Sequence, residues 1–200
     1  MRVVLATSNA GKLREFRELL APLGFEPLAL SQFTGVSPEE TGLSFIENAI
    51  LKARHAAQAS ELAAIADDSG VEVDALRGAP GIYSARYAGV GTSDQANLEK
   101  LVNAMRDVPE QERTARYQCA LAYMRWPTDP SPLICQAAWE GRIILTPRGA
   151  GGFGYDPVFE VSGRGLTAAE LSAEEKNRIS HRGQAMRELV SRLRARIHVS

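Results

Sequence analysis

The chain has 200 residues, enough for one domain with a proper core, or for one domain with a small lobe. Lys and Arg number 23 against 24 Asp and Glu, a net charge of −1, which argues against the basic face of a nucleic-acid binder. No apolar run approaches the ~20 residues that span a bilayer, no leader pattern opens the chain, and the two cysteines, Cys119 and Cys135, lack a metal-ligand spacing, so the reading is a soluble intracellular protein with buried thiols.

The first element is the β-branched, apolar run Arg2 to Ala6, read as a buried strand. From Lys12 the pattern puts Leu13, Phe16, Leu19, Leu20 and Leu23 on one helical stripe that ends at Gly24, with Ser8 and Asn9 as N-cap residues. The Gly11-Lys12 pair between them is not a P-loop. Ala6 stands where the first glycine of that loop belongs and Leu13 where its Ser or Thr belongs. Even so, Thr7, Ser8 and Asn9 gather hydroxyl, amide and N–H donors at a positive helix end beside Lys12. An ordinary capped turn and an anion site both fit.

Glu26 to Leu30 reads as a second strand, and a Gly- and Pro-punctuated loop follows, carrying Glu39 and Glu40. The helix after it opens at Ser44, with Glu47 completing a capping box and Ile46, Ile50 and Leu51 forming a face. The next segment is predicted as a strand running into Asp67-Asp68-Ser69-Gly70, a turn, and a second short strand. Arg77 to Gly89 is a long, ordered-looking loop. A capped helix follows from Ser93. The segments either side of "PTDPS" read as a long hairpin, and two helices close the chain, the second starting near Ser180. Strands and helices are mixed rather than strictly alternating, and no clear linker divides them. The expected class is α/β, a mixed α+β fold around a mixed sheet, in one domain over residues 1–200.

Three stretches carry residues fit for chemistry. Asp67 and Asp68 are adjacent carboxylates at a strand end; such groups suit Mg²⁺, and they equally suit a solvated turn with Ser69 as a cap. Because successive strand residues point to opposite faces, the two need not share one site. Gly151 to Pro157 sets glycines around Phe153 and Tyr155, with Asp156 fixed by Pro157, as a flat heteroaromatic ligand or a glycine-rich turn would require. Lys176, His181 and Arg182 are cationic or donor groups at a helix start, either an anion or carbonyl-oxygen site or a solvated helix end. Nothing points to a covalent nucleophile or a zinc cluster.

Taken in order, "ATSNAGKLREF", "EETGLSFIENAILKA", "IADDSG", "GAPGIYSARYAG", "GGFGYDPVF" and "SAEEKNRISHRGQA" resemble the inosine triphosphate pyrophosphatase family, in its bacterial branch acting on XTP, ITP and dITP. The resemblance runs from Arg2 to Leu193, with Ser8 where many members have Gly. It implies an elongated two-lobed fold with a central mixed sheet flanked by helices and a cleft between the lobes. It also implies a cytoplasmic homodimer, and Mg²⁺ as cofactor with Mn²⁺ as the alternative ion. By the same resemblance Thr7, Ser8, Asn9, Ala10, Gly11 and Lys12 contact the triphosphate and Ser69 contacts substrate. Phe153, Gly154, Tyr155, Asp156, Lys176, His181 and Arg182 hold the purine nucleotide. Asp68 is metal ligand or general base, directly or through Asp67, and Glu39 is the additional metal position with Glu40 its competitor.

Overall fold

The computed structural model describes residues 1–7 and 10–197. Six strands form one mixed sheet: β1 Arg2–Leu5, β2 Glu26–Ala29, β3 Ala64–Val73, β4 Thr114–Met124, β5 Leu133–Ile143 and β6 Phe159–Val161. Their order is β2-β1-β3-β4-β5-β6. β1 runs parallel to both β2 and β3, while β6 is antiparallel to β5. Among the described residues five α-helices accompany them: α1 Ala10–Leu20, α2 Phe45–Ser60, α3 Asp94–Ala104, α4 Ala173–Ile179 and α5 His181–Ile197. No helix of the described residues is long and apolar enough to cross a membrane. The expected mixed α/β class is the observed one.

Two compact units divide the chain: Met1–Asp68 with Cys119–Ala137 and Gln184–Ser200, and Ser69–Gln118 with Ala138–Gly183. In the first unit, strand alternation sorts residues onto two cores. Val3, Leu5, Ile65, Cys119, Leu121 and Tyr123 join Phe16 and Leu20 of α1 and Met186 and Leu189 of α5. Val4, Ala6, Ala64, Ala66, Ala120 and Ala122 join Ala49, Ala53, Ala56 and Ala57 of α2. Those four alanines recur at helical spacing, and their small side chains let α2 lie close on the sheet. Of the predicted stripe on α1, Phe16 and Leu20 are buried and Leu13 packs against them; the side chains of Leu19 and Leu23 lie outside what is described. The second unit has its own core, in which Val71 and Val73 meet Leu98, Leu101 and Met105 of α3 and the rings of Tyr117, Trp139 and Phe159.

The caps follow the sequence closely. Ser44 Oγ accepts from Glu47 N, and Ser93 and Ser172 do the same for α3 and α4. The Glu47 carboxylate reaches one residue further back than the usual capping box, taking Leu43 N at 2.8 Å and Ser44 Oγ at 2.9 Å.

One prediction needs correction. Asp67-Asp68-Ser69-Gly70 is not a turn between two strands but the interior of β3, ten residues long. The strand continues because β4 lies beside it in the sheet, a neighbour that a local reading cannot see, while β1 is in register with its first residues, Ala64 and Ile65. The two carboxylates are therefore buried, Asp67 at 2% and Asp68 at 7% exposure.

The loop between β4 and β5 is held by a buried carboxylate. Asp129 accepts from Arg125 Nη2 at 2.6 Å, Arg125 Nε at 2.9 Å, and the backbone N–H groups of Arg125 and Ser131. The Arg125 guanidinium, helped by those two N–H groups, holds the Asp129 carboxyl well below the usual carboxylate range. A depressed folded pKa contributes stability above the unfolded value of about 3.9 and loses it as pH falls through the folded one. Asp129→Asn is accordingly expected to lower Tm at neutral pH, with the gap to the parent closing as melts are taken from about pH 4 downward. A gap that stayed constant across that range would show that the charge on Asp129 is not what holds the loop.

Candidate active site

β3 is the element that organises the first cluster, and alternation decides which neighbour each carboxylate meets. Asp67 shares the face of Ile65 and so looks toward α1. There its Oδ1 accepts from Lys12 Nζ at 2.7 Å and its Oδ2 lies 3.8 Å from Cys119 Sγ. Asp68 shares the face of Ala66 and meets α2. Its Oδ1 accepts from Lys52 Nζ at 2.6 Å and its Oδ2 from Asn48 Nδ2 at 3.4 Å. The same Lys52 Nζ also reaches Glu40 Oε1 at 3.2 Å, so Asp68 and Glu40 converge on one ammonium. Glu39, next to it, is exposed.

Burial pushes the Asp68 carboxyl up, and the charges of Glu40 and Asp67 push the same way, against the pull of Lys52. Burial works against the Lys52 charge as well, but Asp68, with Glu40 and Asp67 behind it, outweighs this and raises its pKa, so Lys52 stays an ammonium. Lys52 also lines an open hollow of about 220 Å³ together with Ala6, Thr7, Ser31, Thr34 and Ser37. Thr7 thus lines the same hollow as Lys52. Ser8 and Asn9 lie outside the described residues, and Ala10 and Gly11 open α1.

Lys52 and Asn48 were missed by the sequence reading. The signal was available: the two are four residues apart on α2 and so share one side of it, next to the alanine stripe. What was not available was the strand that side would face.

The second cluster gathers around the glycine-rich loop. Asp156 is 2% exposed and accepts three hydrogen bonds. Its Oδ2 takes Phe153 N at 2.8 Å and Lys176 Nζ at 2.5 Å, and its Oδ1 takes the Tyr117 hydroxyl at 3.1 Å. Phe153 is half-buried, with Lys176 Nζ 4.8 Å and Arg182 Cζ 5.9 Å from its ring centre. Arg182 Nη2 donates to Ser69 Oγ at 3.1 Å. His181 stacks flat on Tyr117 with centroids 4.7 Å apart and planes 4° from parallel. Tyr155 sits in the core with its hydroxyl on Ser84 O at 2.7 Å, and Gly154 N donates to Asp94 Oδ2 at 3.2 Å. Ser69, Phe153, Lys176, His181 and Arg182 are therefore brought together as neighbours. Tyr155 serves the core, and Tyr117 and Trp139 are additions from β4 and β5 that no local motif announces.

Chemically, the first cluster can hold a cation between carboxylates and accept a proton. The second offers cationic and donor groups around one aromatic ring. Comparison with known proteins supplies the family. The model of the Ham1 family matches residues 3–192, and the chain belongs to that family. It is 58% identical over 193 residues to the dITP/XTP pyrophosphatase of Shigella flexneri, covering 96% of this chain and 98% of that protein. The dITP/XTP pyrophosphatase of Escherichia coli strain K12 is 57% identical over the same shares. Among solved structures, a HAM1 protein from Coxiella burnetii superposes with a TM-score of 0.91 at 46% identity, covering 98% of this chain and 99% of that one.

Proposed function

We propose that the chain hydrolyses deaminated and other non-standard purine nucleoside triphosphates, ITP, dITP and XTP, to the nucleoside monophosphate and pyrophosphate, and so removes these bases from the pool that feeds DNA and RNA synthesis. The observation that carries the reading is the convergence of Asp68 and Glu40 on one part-buried ammonium in a chain of this family.

A divalent ion fits that pair. Among the described residues no cluster of three or more Asp, Glu, His or Cys could hold a metal alone. Mg²⁺, however, is usually bound by one or two carboxylates with substrate phosphates and water completing its shell. Asp68 and Glu40 already share a cation, and they are the residues that would hold it, with Glu39 beside them and Mn²⁺ as the alternative ion. When bound, such an ion neutralises phosphate charge and orients the reacting groups.

The chain's own residues account for the rest. Asp68 accepts the proton of the attacking water. Asp67 holds Lys12, and the Lys12 ammonium and the N-terminus of α1 favour negative charge on the departing pyrophosphate. Donors at His181 and Arg182 suit a purine with a carbonyl at position 6 and oppose one with an amine there. Sites built to hydrogen-bond a substrate group discriminate by ~10⁴-fold or more against an analogue lacking it. Resemblance to the inosine triphosphate pyrophosphatase family supports a homodimer working in the cytoplasm, where the triphosphate pool lies.

The test is product release from ITP, dITP, XTP, ATP, GTP and dUTP, with Mg²⁺ and with EDTA. The expected result is metal-dependent pyrophosphate and nucleoside monophosphate from the first three. Orthophosphate as the product would move the scissile bond and overturn the mechanism. Binding without release would make the protein a nucleotide sensor instead.

A further inference from the structure

Tyr117 takes part in two contacts that the proposed reaction does not call for. Its ring lies flat on the imidazole of His181, 4.7 Å between centroids and 4° from parallel, with Phe159 packed against it at 4.6 Å and Trp139 at 6.3 Å. Its hydroxyl donates to Asp156 Oδ1 at 3.1 Å. A ring needed only to fill the core could be phenylalanine, since burying a hydroxyl is costly unless it is bonded. Here the hydroxyl is bonded, and to the carboxylate whose other oxygen holds Phe153 N and Lys176 Nζ. Burial, with the Asp156 charge added, pushes the phenol's pKa well up, so the proton stays on Tyr117 and the phenol remains a donor.

We propose that Tyr117 is the positioning residue of the base-recognition cluster. Its face sets the plane of His181, and its hydroxyl sets the Asp156 carboxylate that in turn orients Phe153 and Lys176. This rests on the reading of the chain as a purine nucleoside triphosphate pyrophosphatase. A single side chain on β4 thereby links groups contributed by the glycine-rich loop, α4 and the start of α5. Tyr117 needs no contact with substrate to act this way; it fixes the groups that have one.

The experiment is steady-state kinetics of the full chain and its Tyr117→Phe variant with ITP and ATP, with inhibition by inorganic tripolyphosphate measured alongside. Tripolyphosphate has the phosphates but no base. Loss of one hydrogen bond to a charged group is expected to raise KM for ITP by about 10-fold, with kcat changed by no more than about 2-fold. The preference for ITP over ATP should fall by about 10-fold while the tripolyphosphate inhibition constant holds. Tyr117→Leu, which also removes the stacked face, should lose more of the preference than Tyr117→Phe. An unchanged KM and preference in Tyr117→Phe overturns the inference. Equal weakening of ITP and tripolyphosphate also overturns it, because that is the signature of a general structural loss. If the parent chain itself releases no pyrophosphate from any purine triphosphate, the reading of function fails before Tyr117 is tested, and the inference goes with it.

Discussion

Asp68→Asn is expected to lower kcat for ITP by roughly 10²- to 10⁴-fold, the range associated with a positioned general base. The substitution is close to isosteric, and it removes one charge from an oxygen that lies 2.6 Å from Lys52 Nζ. That single change takes away the proton acceptor and half of the acidic pair formed with Glu40. The measurement is initial-rate pyrophosphate release at saturating ITP and saturating Mg²⁺, so that weaker ion binding is not mistaken for a slower step. Turnover near that of the parent under those conditions would remove Asp68 from the mechanism. Asp67→Asn provides the contrast: Asp67 lies on the other face of β3 and is bonded to Lys12, so it is expected to act on Lys12 rather than on the proton.

The second large effect is expected at Gly152. It has a φ of +74°, and a Cβ built there would lie 2.0 Å from Asp156 Oδ2. That oxygen is the one that accepts from Phe153 N and Lys176 Nζ. Gly152→Ala must therefore displace a buried carboxylate and everything bonded to it, in addition to the strain of a left-handed residue. Gly154 has a φ of +61° but nothing within 4 Å of an added Cβ, so Gly154→Ala carries the strain alone, about 1–2 kcal/mol. Gly152→Ala is expected to lower kcat/KM for ITP by about 100-fold or more, which corresponds to about 3 kcal/mol, and Gly154→Ala by clearly less. Paired kinetics and thermal melts of the two variants check this. Equal losses at the two positions would mean that the backbone conformation, and not the Asp156 contact, is what the motif protects.

Local signals carried much of this protein. The apolar run of β1, the burial of Phe16 and Leu20 on α1 and the serine caps of α2 and α3 depend on residues a few positions apart, and they are where periodicity and capping chemistry put them. The motifs that resemble a family of nucleotide pyrophosphatases are equally local, and the family match over residues 3–192 agrees with them. Alternation along a strand was also enough to foresee that Asp67 and Asp68 need not share a site, and they do face different helices.

What the sequence by itself determined is most of the elements, the mixed α/β class and the residue types able to do the chemistry. Only the tertiary structure decided their partners. Asp67-Asp68-Ser69-Gly70 looks like a turn when read alone, yet it is strand interior because β3, with β4 beside it in the sheet, runs on through it. Lys52 becomes a partner of Asp68 because the alanine face of α2 seats that helix on the sheet with its Asn48–Lys52 side toward β3. Tyr117 is one aromatic among several until the fold sets it between His181 and Asp156, 64 and 39 residues away along the chain. The physical reason is the same in each case. Periodicity and caps are written in neighbours, whereas a buried carboxylate or a stacked ring is defined by groups that only the folded sheet brings within bonding distance.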